Sequence, residues 1–310
     1  MTQDYEQKRT KKPRWAKLLI VLLIALMLII GGYFAWRTFI QSEDDNSQNS
    51  TELVETDPEP AVVQDSELQT LISNWAEARS ANYAIAIEEL DNAVDNSQLR
   101  TASYHASEQM VPASVYKVFV AYAVLHEVEQ GAYTLESVLR NDYTIKECLE
   151  EMIVNSDNDC GRAIGFELGW QEINALLAAQ GFTDTDLYNY QPPSEDPVGD
   201  KYTTAADTTK LMKGLYDGSL LNAEHTALLF DMMERQVWRE RIPAGLPEGT
   251  RVISKPGWLE GVQSETAIVY TPVNTYVITI FSTENSPANL AELSALVYNY
   301  FATGQTPVAP

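Results

Sequence analysis

The segment VPASVYKVFV, residues 111–120, sets the tightest limit on how this chain can fold. Read as a helix from Ser114, it carries Val118, Phe119, Val120, Ala121, Ala123, Val124 and Leu125, so nearly every face is apolar. A helix that is hydrophobic all round belongs inside a core, with other elements packed around it. Lys117 is then buried as well. Ser114 and Lys117 lie one turn apart near the positive end of that helix. Burial lowers the pKa of a lysine, and a lysine so shifted can take the proton of a neighbouring serine hydroxyl. Ser-x-x-Lys by itself is weak evidence, since about one match arises by chance in a chain of this length. A capping serine beside a snorkelling lysine gives the same pattern.

The remainder of the 310 residues is adequate for such a core, with 45% hydrophobic residues. A formal charge of -23 argues against nucleic acid as a partner, because phosphates would be repelled. The charge is uneven. Residues 1–17 hold six Lys or Arg against two acids, and residues 18–36, LLIVLLIALMLIIGGYFAW, hold no charge. At 1.5 Å per residue that run covers roughly 28 Å, the thickness of a bilayer core. A cleaved signal and a core helix are the competing readings; the run is long for the first, and no A-x-A site follows it. We expect an uncleaved transmembrane anchor, with residues 1–17 cytoplasmic and Tyr33 and Trp36 at the outer interface. Residues 41–65 contain eight acids, no Lys or Arg and few large apolar side chains, the composition of a solvated spacer. Residues 66–310 remain as one extracytoplasmic domain, expected to be monomeric.

Within that domain, ELQTLISNWAEAR (67–79) reads as a helix, and YAIAIEEL (83–90) and LRTASYH (99–105) read as strands. Mostly helical patterns run from Ser114 to about Arg239. Strands are expected at 251–255, 265–270 and 275–281, followed by a closing helix at NLAELSALVYNYF. The fold class expected is α/β of the α+β kind: a mixed sheet built from both chain ends, covered by the first and last helices, with a second, all-helical lobe and a cleft where the lobes meet.

Two further motifs give the first one meaning. Ser156-Asp157-Asn158 interrupts two apolar-periodic helical segments; ordinary helix capping explains it equally well. Lys255-Pro256-Gly257-Trp258 ends a strand, where a turn is the plain alternative. Ser-x-x-Lys, Ser-Asp-Asn and Lys-x-Gly in this order form the motif set of class A β-lactamases and penicillin-binding proteins. Over roughly residues 66–303 the chain resembles the class A β-lactamase-like serine hydrolases, and KYTTAADTTKLMKGLYDG and RIPAGLPEGTRVISKPG extend the likeness. The resemblance implies that Ser114 is the acylated nucleophile and Lys117 its proton partner. Ser156 would pass a proton to the leaving group, Asn158 would hold a substrate amide or orient Lys117, and Lys255 would supply positive charge. Gly257 and Trp258 would border the substrate, and the N–H groups of Ser114 and Trp258 would form an oxyanion hole.

Departures from the family pattern point the other way. The Glu-x-x-Leu-Asn pattern that supplies a deacylation base is absent from LYNYQPPSEDPVGDKYTT, where Glu195 is the candidate base and an exposed loop acid the alternative. Pro256 replaces a hydroxyl residue, Glu265 stands near where the family often has Arg, and the connection from Ser114 to Ser156 looks short. These changes count against efficient lactam hydrolysis. His126 lies about 18 Å along the helix from Ser114, too far for a triad. No metal motif is found, and no cofactor is implied. Cys148 and Cys160 are either a disulfide or two buried thiols. Two functional classes stay open: an acyl-serine hydrolase acting on an amide or ester, such as a cell-wall peptide, a β-lactam or another small molecule, or a binding module that keeps the fold without turnover.

Overall fold

A computed structural model describes residues 60–188, 201–284 and 286–303, all within one compact unit that spans residues 59–310. The expected tail and anchor (1–36), nearly all of the spacer, and Glu195 lie outside the described residues. Among the described residues no helix is long and apolar enough to cross a membrane.

Six strands form one sheet in the order β1-β3-β2-β6-β5-β4. They are β1 (Ala61–Gln64), β2 (Tyr83–Asn92), β3 (Gln98–Tyr104), β4 (Val252–Leu259), β5 (Val262–Tyr270) and β6 (Asn274–Ser282). β1 runs parallel to β3, and every other pairing is antiparallel. Two sequence expectations are corrected here. Residues 61–64, assigned by composition to the spacer, form the edge strand β1, because Val62 to Gln64 find a ladder partner in Leu99 to Thr101. The strand expected to stop at Lys255 continues through Pro256 and Gly257 to Leu259. Proline is tolerated there because β4 is the other edge of the sheet, so the missing N–H breaks no inner ladder.

Strand alternation assigns the two faces. Ala267 and Val269 of β5 pack with α1 (Ser66–Glu77) and the last helix, α8 (Pro287–Thr303), through Leu68, Ile72, Leu293 and Val297. Ile268, one residue out of phase, joins the opposite cluster with Ile253 and Val277. On that side lies the helical lobe, α2 (Lys117–Glu129), α3 (Ile145–Val154), α4 (Asn158–Leu168) and α5 (Trp170–Ala179), followed by α6 (Ala205–Tyr216) and α7 (Ala223–Glu234). α2 is its axle: every residue from Lys117 to Leu125 is buried. Each large apolar side chain so placed contributes about 1.5–3 kcal/mol.

Ser114 does not sit in α2 itself. Residues Ala113–Tyr116 form a single 3-10 turn that feeds into the α-helix at Lys117. With three residues per turn, positions i and i+3 eclipse, so the 3-10 turn aligns Ser114 with Lys117 more closely than an α-turn would.

Candidate active site

The cleft between the sheet and the helical lobe is a cavity of about 330 Å³ lined by Ser114, Tyr116, Ser156, Asn158, Trp238 and Trp258, among others. The three motifs meet at its floor. Lys117 Nζ donates to Ser114 Oγ at 3.1 Å, to the backbone carbonyl of Ser156 at 2.6 Å and to Asn158 Oδ1 at 2.7 Å, and lies 3.4 Å from Ser156 Oγ. Lys255 Nζ donates to Ser156 Oγ at 2.9 Å and to the Pro256 carbonyl at 3.0 Å. Ser114, Lys117, Ser156, Asn158 and Lys255 are therefore one connected network.

Burial takes the Lys117 ammonium down to about 8; Asp157 opposes the shift, and the cations of Arg162 and Lys201 add to it. Lys255 is driven well below the ordinary lysine value, by burial first and then by the neighbouring charge of Lys117. A neutral Lys117 has two N–H groups and one lone pair. Two acceptors that can only accept, the Ser156 carbonyl and Asn158 Oδ1, claim the N–H groups. The lone pair is left for the Ser114 hydroxyl.

Local structure holds each group in place. Ser156 lies in the turn between α3 and α4 with φ +62°, a left-handed conformation that costs a residue with a side chain roughly 1–2 kcal/mol. That conformation presents its carbonyl to Lys117. Asp157 caps α4 by accepting from Cys160 N at 2.7 Å, while its neighbours Ser156 and Asn158 bond Lys117, so the capping and the contacts with Lys117 fall on different residues. Cys148 and Cys160 are joined in a disulfide that ties α3 to α4 across the turn. Gly257 meets the Ser114 turn at close range: a Cβ there would stand 2.6 Å from both Pro112 O and Ser114 N. Its part is steric, since only glycine lets β4 come this near to Ser114 and sets Trp258 beside it.

Sequence reasoning missed four neighbours of the site. Tyr116 and Lys201 line the cleft. Trp238 packs against Trp258 with ring centroids 5.1 Å apart, and its Nε1 donates to Asn155 O at 3.3 Å. Arg241 is buried with its guanidinium 4.9 Å from the Trp258 ring centroid, and its Nε donates to Gln263 Oε1 at 2.8 Å. Two tryptophans flanking a Lys-x-Gly strand were visible in the sequence; that they touch was not. Glu265 is wholly buried and turned to the backbone, accepting from Ile242 N at 2.6 Å. Burial pushes its carboxyl up to about 7, against the pull of Arg241 and Lys255. His126 and His225 are engaged by Glu127 and Glu129, with no contact to Ser114. Among the described residues no cluster of side chains suits a metal ion.

A two-lobed fold with a serine–lysine network at the junction defines a class, and comparison with known proteins places the chain within it. The chain belongs to the family described as the beta-lactamase enzyme family, which matches residues 65–301. It is 29% identical over 206 residues to a beta-lactamase of Bacillus amyloliquefaciens, a match covering 58% of this chain and 66% of that protein. It is 26% identical over 202 residues to beta-lactamase 3 of Bacillus cereus, covering 58% and 64%. The chain thus spans just under two thirds of the length of these curated relatives. In fold it is similar to a PBP-A mutant solved as an acyl-enzyme complex with penicillin G, with a TM-score of 0.70 and 23% identity over 78% of this chain and 98% of that one. An ancestral class A beta-lactamase gives a TM-score of 0.64 and 24% identity over 74% and 98%.

Proposed function

We propose that this protein is an acyl-serine hydrolase that opens an amide or ester through a covalent intermediate on Ser114. The observation that carries the reading is the position of Lys117 Nζ, 3.1 Å from Ser114 Oγ, with two carbonyl-type acceptors occupying its other valences. As Ser114 Oγ attacks the substrate carbonyl carbon, its proton passes to neutral Lys117. The oxyanion is received by the N–H groups of Ser114 and Trp258, which the Gly257 contact brings together. When the carbon–nitrogen or carbon–oxygen bond breaks, Ser156 Oγ gives its proton to the leaving group. Lys117 or Lys255, both within reach of that oxygen, makes good the loss. Asn158 holds Lys117 and a substrate amide, and Lys255 supplies positive charge beside the leaving group.

Hydrolysis of the acyl-enzyme needs a water and a base. The Glu-x-x-Leu-Asn pattern is missing from residues 187–204, which supports slow release, with Glu195 the candidate base. We place the domain outside the cytoplasm on a membrane anchor at residues 18–36; the Cys148–Cys160 disulfide suits an oxidising compartment. Intact-mass analysis of the purified chain after exposure to a fluorophosphonate and to a penicillin tests the function. A stoichiometric adduct on Ser114 is expected. No adduct with either reagent would leave a binding module that has kept the fold.

A further inference from the structure

The wall of the cleft facing β4 carries a cation that the acylation scheme does not use. Lys201 lines the cavity with Ser114, Tyr116 and Asn158. Its Nζ lies 4.7 Å from the Tyr116 ring centroid and 4.6 Å from that of Trp170, two rings whose centroids are 6.4 Å apart. The ammonium is thus seated between aromatic rings, a setting that fixes its position while leaving its charge uncancelled. No carboxylate among the described residues pairs with it; the charge that acts on it directly, Arg162, is of its own sign, and the one acid of this neighbourhood, Asp157, acts on Lys117 and Tyr116. The contrast with the whole chain is sharp. The net charge is -23, yet no Asp or Glu lines this cleft among the described residues, and Lys117 and Lys255 stand behind Ser156. A half-buried ammonium with no bonded carboxylate is unfavourable until an anion joins it.

The geometry also says which part of a substrate that anion belongs to. The leaving group must lie toward Ser156 and Lys255, because Ser156 Oγ is the hydroxyl that Lys255 bonds at 2.9 Å. Lys201 reaches the cleft along Tyr116 and Trp170, and no hydrogen bond among the described residues joins it to Ser156 or Lys255. We propose that Lys201 is a substrate-recognition residue that binds a carboxylate carried on the acyl half of the substrate, making the enzyme selective for acyl donors that are anionic on that side. The inference rests on the acyl-serine reading above and adds the substrate class to it.

Two thioesters with the same leaving thiol test it: N-succinyl-D-alanyl thioglycolate, and its succinamoyl analogue, in which a carboxamide replaces the terminal carboxylate. The purified full chain should favour the carboxylate donor by about tenfold or more in kcat/KM, the usual reach of a charge-assisted hydrogen bond. Added salt should shrink that ratio. Lys201→Met should bring the ratio close to one, and Lys201→Arg should keep most of it. A general loss of reactivity, such as a change in Lys117 basicity would cause, lowers both rates together and leaves the ratio standing. Equal rates in the unmodified chain, turnover of neither donor by a chain that fluorophosphonate labels, or a preference that survives Lys201→Met would overturn the proposal while leaving the hydrolase reading intact. Failure of fluorophosphonate to label Ser114 would remove the hydrolase reading and this inference with it.

Discussion

In the proposed acylation, Lys117 is the residue on which the chemistry turns. Its amine is buried, its N–H groups are committed to the Ser156 carbonyl and Asn158, and Ser114 takes what is left. Replacing Lys117 by Ala should suppress fluorophosphonate labelling as fully as Ser114→Ala, with a loss of about a hundred- to ten-thousand-fold in the labelling rate. Undiminished labelling of the Lys117 variant would sink the mechanism. In that proposal the active form is the neutral amine, which appears as pH rises toward a pKa of about 8. Acylation should therefore climb by about tenfold per pH unit below that value and level off above it. Release is a separate matter. With a chromogenic cephalosporin we expect at most a stoichiometric burst and little steady turnover; fast turnover abolished by Glu195→Gln would refute this and identify the base.

Packing between elements holds these residues in place, and two placements can be checked. β4 lies so close to the nucleophile turn that a methyl at Gly257 would meet Ser114 N at 2.6 Å. Gly257→Ala should push strand and turn apart and cut acylation by about a hundredfold, the usual result of an ångström-scale misplacement. A variant that unfolds is excluded by its melting curve, and a folded, fully reactive one would show that the close approach is incidental. Glu265 sits on β5 beneath the same strand, and burial raises its carboxyl to about 7 from the 4.5 of an ordinary glutamate. The folded state thus holds a proton that the unfolded chain releases. Its contribution to stability is complete below about pH 4.5 and is lost as pH rises through 7, by about 3 kcal/mol over the whole span. Glu265→Gln should flatten that part of the stability–pH curve in denaturant titrations between pH 5 and 8; unchanged curvature would place the shift elsewhere.

The molecule as a whole is an acidic body around a cationic cleft, and the charge in residues 1–17 has the opposite sign to the rest. If the uncharged run at 18–36 anchors the chain with those residues inside, protease added to intact cells should release a folded fragment. Its new end should fall within residues 41–60, before β1 begins at Ala61. Protection of that region until the membrane is breached would reverse the assignment.

The sequence by itself determined the burial of α2 and the two-lobed layout, because periodicity and spacing are local properties, and the resemblance carried by its three motifs implied that Ser114, Lys117, Ser156, Asn158 and Lys255 share one site. It placed five of the six strands, erring where composition and turn chemistry mislead: the acidic run into β1, and Pro256-Gly257 inside β4. Only the tertiary structure decided how the site works. Whether the lone pair of Lys117 or one of its N–H groups faces Ser114 depends on a carbonyl 39 residues away in a left-handed turn. The cysteines at 148 and 160 were equally consistent with free thiols until α3 and α4 were seen side by side. Lys201 carries no signal along the chain, and Trp238 none that sets it against Trp258. Their importance comes from what stands opposite them, and distances between elements far apart in sequence are fixed by packing, which no local pattern records.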